Sequence, residues 1–136
     1  MNPWKVGETI MSAIINLTQH PATAEQLAAG VVDLPAAARA SLQNLLTFDH
    51  LPTRREVVES AEAIARLAAR NTMARAAMIG GAPYLMAPLE QALRELYGIE
   101  PVYAFSVRES REEVQPDGST RKIAVFRHAG FVGGGS

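Results

Sequence analysis

Hydrophobic positions change their period several times along the chain, and each change marks an element. Ala13-Ile14-Ile15-Asn16-Leu17 is a β-branched, apolar run that breaks into polar Thr18-Gln19-His20-Pro21, which predicts a buried strand entering a loop. Thr23-Ala24-Glu25-Gln26 is a capping box that opens a helix toward Gly30, and Val31-Val32-Asp33-Leu34 fits a short second strand. Residues 35–47 read as an alanine-rich helix with Pro35 in its first turn and Leu42, Leu45 and Leu46 on one face. A second capping box, Thr53-Arg54-Arg55-Glu56, starts a longer helix in which Val57, Ile64 and Leu67 recur at helical spacing through about Arg70.

The run Ala76-Ala77-Met78-Ile79 then suits a central buried strand that enters a Gly80-Gly81 turn. The helix after it has Pro83 in its first turn, Leu85, Leu89, Leu93 and Leu96 on one face, and Gly98 as its stop. Pro88 either kinks that helix or leaves the piece from Tyr84 to Ala87 as a loop over the site. Pro101 to Val107 predicts a third strand. Residues 107–114 and 119–127 flank Pro116-Asp117-Gly118 and predict a long antiparallel hairpin. The alternation of strands and helices implies parallel pairing with right-handed crossovers. The expected class is α/β: a Rossmann-like, mainly parallel sheet flanked by helices, with a C-terminal antiparallel β-hairpin.

Composition narrows the function classes. A chain of 136 residues suits one domain, expected over 11–132, which buries roughly two thirds of its unfolded surface without staples. Residues 1–10 lack periodicity and read as an N-terminal extension, with Met11 a plausible start, while Gly133-Gly134-Gly135-Ser136 looks like an expression linker. With 48% hydrophobic and 20% charged residues the chain belongs among globular proteins. A formal charge of −1 supplies no global field for duplex nucleic acid, so any basic site must be local. The absence of cysteine removes disulfides, thiol nucleophiles and cysteine-ligated zinc together, and it fits a cytoplasmic home. No apolar run approaches the roughly 20 residues of a membrane span.

In an open α/β sheet, ligands sit beyond the carboxyl ends of the parallel strands. Three segments are then expected to converge: Thr18 to Thr23, Gly80 to Tyr84, and Ser106 to Ser110. That set suits a phosphorylated nucleotide. Arg108 and the glycine turn would hold phosphate, Tyr84 would lie under a base, and Thr18, Gln19, His20 and Thr23 would meet ribose or base edges, with Ser106 beside them. A two-residue turn at Asp117-Gly118 would set Arg108 directly opposite Arg127 on one face. Such a pair is either a phosphate clamp or is neutralised by Glu109, Glu112 or Glu113, and a register shift of one residue would dissolve it. His20 is a candidate proton carrier or a loop brace. His50, in the turn Phe48-Asp49-His50-Leu51-Pro52, reads as structural, and His128 ranks below Arg127. Tyr103 and Phe105 fit core or dimer contacts. No His, Asp or Glu spacing indicates a metal, and no phosphate-loop or dinucleotide fingerprint calls for a cofactor.

The stretch Asn16-Leu17-Thr18-Gln19-His20-Pro21-Ala22-Thr23-Ala24-Glu25-Gln26 resembles the opening of small CRISPR-associated CARF-like proteins, where a strand ends in a hydroxyl-histidine-proline step before a Thr-x-Glu-Gln helix start. Met78-Ile79-Gly80-Gly81-Ala82-Pro83 and Pro101 to Arg108 look like that group's later strand and loop segments, in the same order. The resemblance covers about half of the chain. It implies a Rossmann-like fold, a homodimer, and binding of a cyclic oligoadenylate across the two-fold axis, either cleaved or only held. Thr18, Gln19 and His20 would correspond to the first ligand loop, Gly80 and Gly81 to the second, and Ser106 and Arg108 to the third.

The expected activity is therefore binding of a cyclic oligonucleotide second messenger, with sequestration and slow, metal-independent cleavage as its two forms, in anti-phage signalling or its suppression. Two rivals stand beside it. One is a hydrolase or transferase acting on an ADP-ribose-type or nucleotide-sugar substrate, and the other is a protein-interaction module.

Overall fold

The structure, a computed structural model, describes residues 13–133. The proposed start at Met11 and the whole N-terminal extension, residues 1–10, lie outside the described residues, as do residues 134–136 of the expected linker. Nine elements follow one another: β1 (Ile14–Asn16), α1 (Ala24–Ala28), β2 (Val31–Asp33), α2 (Ala36–Leu46), α3 (Arg54–Asn71), β3 (Ala76–Met78), α4 (Pro83–Tyr97), β4 (Glu100–Val114) and β5 (Thr120–Gly133). They build a five-stranded sheet of order β2-β1-β3-β4-β5, parallel except for the final antiparallel pair. The α/β expectation holds.

Chain order explains the topology. α1 carries the chain from β1 out to β2, and α2 with α3 carry it back past β1 to β3. Direction across the sheet therefore reverses between β1 and β3, which opens a crevice beyond their carboxyl ends. Ile15, Leu17, Ala77 and Ile79 point to the face packed by α2, α3 and α4 and form the main core with Leu42, Ile64, Leu85, Leu89 and Leu93. On α3 the core face is largely alanine. Ala61, Ala65 and Ala68 are fully buried, and their small side chains let α4 lie close against α3. A smaller cluster of Val31, Met78 and Val102, with Ile14, Ala22 and Phe131, covers the opposite face.

α4 is continuous through Pro88, which is buried in the core. The loop reading of residues 84–87 is thereby overruled. Having no N–H, Pro88 leaves the carbonyl of Tyr84 without its usual helical donor four residues on. The helix stops at Gly98, at φ 63°, where Gly98 N–H reaches Arg94 O and Ile99 N–H reaches Leu93 O. Tyr103 then ties β4 to α4 through a 2.6 Å bond to Glu90, and burial together with that carboxylate pushes its phenol up to about 12. Tyr103 is thus a core contact, whereas Phe105 is half exposed.

Gly133, the first residue of the expected linker, is the last residue of β5. It lies in β5 opposite Val102 at φ 110°, and a Cβ there would stand 2.8 Å from Pro101 O, so only glycine closes the sheet at this point.

Candidate functional site

The first loop is organised by Asn16, the one buried polar side chain among the described residues. Its amide nitrogen donates to Asp33 Oδ1 and to His20 O, both at 2.8 Å. Its amide oxygen accepts from Thr18 N–H at 2.8 Å and from Thr18 Oγ1 at 2.7 Å. Asp33, next door on β2, also accepts from Ala22 N–H at 3.1 Å. Every hydrogen-bonding position of Asn16 is filled, and the loop from Thr18 to Ala22 is folded over it. α2 closes the other flank, since Gln43 Nε2 donates to Gln19 O at 2.5 Å.

Several residues assigned to ligand contact therefore have structural duties. The hydroxyl proton of Thr18 is directed at Asn16 and His20 O, which leaves the oxygen lone pairs and the methyl for the crevice. Thr23 caps α1, accepting from Gln26 N–H at 3.1 Å while Gln26 Oε1 accepts from Thr23 N–H at 3.0 Å. The backbone of His20 braces the loop, but its imidazole is exposed and has no hydrogen bond, ion pair or ring contact with any described residue.

The glycine turn meets this loop. A Cβ at Gly80 would lie 3.7 Å from Thr18 Cγ2, so β1 and β3 deliver their loops to one place. Gly81 adopts φ 152°, a conformation side chains resist, and the N–H groups of Gly80, Gly81 and Ala82 have no acceptor among the described residues. At the start of α4, Pro83 lacks an N–H and Leu85 N–H is turned back to Ala82 O at 3.0 Å. The helix end thus contributes mainly the Tyr84 N–H, and the anion-binding potential of this corner sits in the glycine amides before it.

The third segment does not join the crevice. Residues 106–110 are an uninterrupted part of β4, which runs on beyond Val102, its last residue to pair with β3, opposite Met78. Arg108 lies six residues further, roughly 20 Å along an extended strand. The Arg108–Arg127 clamp is likewise absent, because Arg108 pairs with Phe126 and Arg127 with Val107, placing the arginines on opposite faces. The cause is the turn. Gln115 N–H reaches Ser119 O and Gly118 N–H reaches Gln115 O, while Asp117 Oδ1 captures Ser119 N–H, giving a five-residue connection instead of two. Arg127 is neutralised from α1, by Glu25 at 3.2 Å. His128, opposite Ser106, sets its ring against Phe131 at 4.8 Å and buries Nδ1 without a hydrogen-bond partner.

In its place the structure brings up the connection between α2 and α3. The ring of Phe48 lies 6.1 Å from that of Tyr84, so this connection borders the same edge as the glycine turn. His50 Nδ1 is 2.7 Å from Asp49 Oδ1 and Nε2 is 3.0 Å from Glu56 Oε2. Ionised carboxylates only accept, so the two contacts are satisfied together when both ring nitrogens donate, which favours the protonated ring. The hydrogen bond to Asp49 first, and then Glu56, raises the His50 pKa above its ordinary value. Glu56 has a second duty, since its other oxygen accepts from Thr53 N–H at 2.8 Å and completes the cap of α3. Between this connection and α4 opens a cavity of about 540 Å3 lined by His50, Leu51, Pro52, Arg54, Val57 and Tyr84. Sequence reasoning missed it. The available signal was an apolar Leu51-Pro52 step wedged between a histidine and a capping box. Among the described residues no group of three or more His, Asp or Glu is placed to hold a metal ion.

Residues 12–132 match the Uncharacterized protein MJ1673 family, and the chain belongs to that family. No curated protein matches the chain, and no solved structure does.

Proposed function

We propose that this MJ1673-family protein binds a cyclic oligonucleotide second messenger, of the cyclic oligoadenylate type, in the crevice beyond β1 and β3, and that sequestration is its principal act. The observation that carries the reading is the meeting of Thr18 with Gly80 beside the three free amides of Gly80, Gly81 and Ala82. Amides fixed in that way favour a phosphate oxygen with no counter-charge required. The position at the switch point and the resemblance of the Asn16–Gln26 stretch support the same ligand class.

Holding the ring requires only this cradle. Slow cleavage would require a ribose 2′-hydroxyl aligned on its phosphate, with the glycine amides taking the developing charge and His20 moving the proton. The exposed, uncommitted imidazole of His20 is suited to that role. A homodimer, a cytoplasmic home and a part in anti-phage signalling or its suppression belong to the same proposal.

Thermal-shift screening of the full chain against cyclic oligoadenylates of several ring sizes and ADP-ribose, followed by chromatography of the recovered ligand, tests it. A raised melting temperature with the ring recovered intact is expected of a sponge, and linear product would identify a nuclease. No shift across the cyclic panel refutes the reading. It would favour an interaction module, for which the ribbon of β4 and β5 provides the surface: Phe105, Phe126 and Val132 are exposed on it.

A further inference from the structure

The cavity beside α4 has a chemistry of its own. Leu51, 91% exposed, stands at its lip, and Pro52, Val57 and the half-exposed ring of Tyr84 form its apolar lining. Phe48 backs Tyr84 at an interplanar angle of 49°, which fixes the tyrosine ring while leaving much of it open to solvent. An apolar lining beside a half-exposed aromatic ring suits a flat hydrophobic guest.

The charges supply the rest of the description. Arg54 occupies the first position of α3, at the positive end of its dipole, with Arg55 beside it. Neither guanidinium has a hydrogen bond or ion pair with any described residue. His50 has both ring nitrogens committed to carboxylates. Hydrogen-bond readout of the guest inside the cavity therefore falls to Tyr84 Oη and Arg54. The complementary ligand is a planar aromatic ring stacked on Tyr84 with its polar edge toward Arg54.

Tyr84 joins this cavity to the crevice, for its ring lines the one and its backbone lies two residues beyond Ala82, the last of the free amides of the other. We propose that the cavity is the base subsite of the nucleotide ligand, with one nucleobase stacked on Tyr84 between Leu51 and Pro52 while a linked phosphate sits at the glycine turn. This assignment rests on the nucleotide reading given above. It adds that the base is gripped by stacking and read only weakly by hydrogen bonds, so purines should bind better than pyrimidines by area and differ little among themselves.

The test uses the full chain and 2-aminopurine riboside 5′-monophosphate, whose emission is quenched on stacking. Saturable quenching is expected. Tyr84→Leu should abolish the quenching and weaken binding by roughly tenfold, the loss of one aromatic stack. Leu51→Asp, which alters only an exposed lip, should weaken binding without disturbing the fold, and AMP should displace the probe where ribose 5-phosphate does not. Quenching and affinity unchanged in both variants overturn the subsite. Cyclic oligoadenylate binding that keeps its affinity in Tyr84→Leu overturns the subsite alone and leaves the proposed function standing. Probe binding that depends on Tyr84, with no response to any cyclic oligonucleotide, upholds the cavity as a base site and overturns the second-messenger reading.

Discussion

Asn16 illustrates how one buried side chain can organise a whole loop. It sits at the end of β1, buried to 4% exposure, and fastens Thr18, His20 and Asp33 around itself. Replacing it by leucine would strand Asp33 and the Thr18 amide in a part-buried setting, at a cost of about 2–4 kcal/mol. Urea denaturation of Asn16→Leu should show that loss, together with loss of ligand binding, and a cost near zero would refute the network. In the sequence, Asn16 was visible only as a polar break in an apolar strand. Thr23 fared better, because the capping box that predicts its place also explains why its hydroxyl is taken.

Elements set by local rules were legible. Both capping boxes, the stop at Gly98 and the glycine turn after β3 are short-range devices, and each lies where residue type and spacing put it. What failed depended on a single count. The hairpin register turns on whether Asp117-Gly118 forms a two-residue turn, and the side chain of Asp117, by capturing Ser119 N–H, selects the five-residue connection. A shift of one residue then sends Arg108 and Arg127 to opposite faces.

The α2–α3 connection offers a test at this scale. The His50 pKa is raised above 6.5, so the stabilisation from His50 is complete below that value and disappears as pH rises through its folded pKa. Asp49 and Glu56 are lowered from 3.8 and 4.5, so their share is present above those values and disappears on acidification. The network is therefore strongest between pH 4.5 and 6.5. Melting temperatures of the protein and of His50→Gln should differ most inside that window and converge as pH rises through the raised pKa of His50. A difference that stays constant with pH would mean that His50 acts by packing alone.

At the scale of the molecule, strand order β2-β1-β3-β4-β5 fixes where loops can meet. Parallel strands of three residues bring the ends of β1 and β3 together, and that much of the site followed from a strand-helix alternation. Two facts did not follow. β4 outruns its neighbour and carries Arg108 away, while α2 and α3 turn at the same edge and bring Phe48 and His50 to Tyr84's neighbourhood. Neither depends on residues close in sequence, which is why periodicity and spacing could not reveal them. The ribbon is held at its base by Glu25, through Arg127 and His128 N–H, and otherwise extends into solvent.

In the proposed function, ligand recognition belongs to the crevice of β1 and β3 and not to the ribbon. Backbone amide chemical shifts of the labelled protein during titration with cyclic oligoadenylate test it most directly. The largest changes are expected at Thr18 to His20 and Gly80 to Tyr84, with residues 106–114 and 120–128 nearly unmoved. Changes concentrated on Arg108 and its ribbon neighbours, with the glycine amides silent, would contradict it.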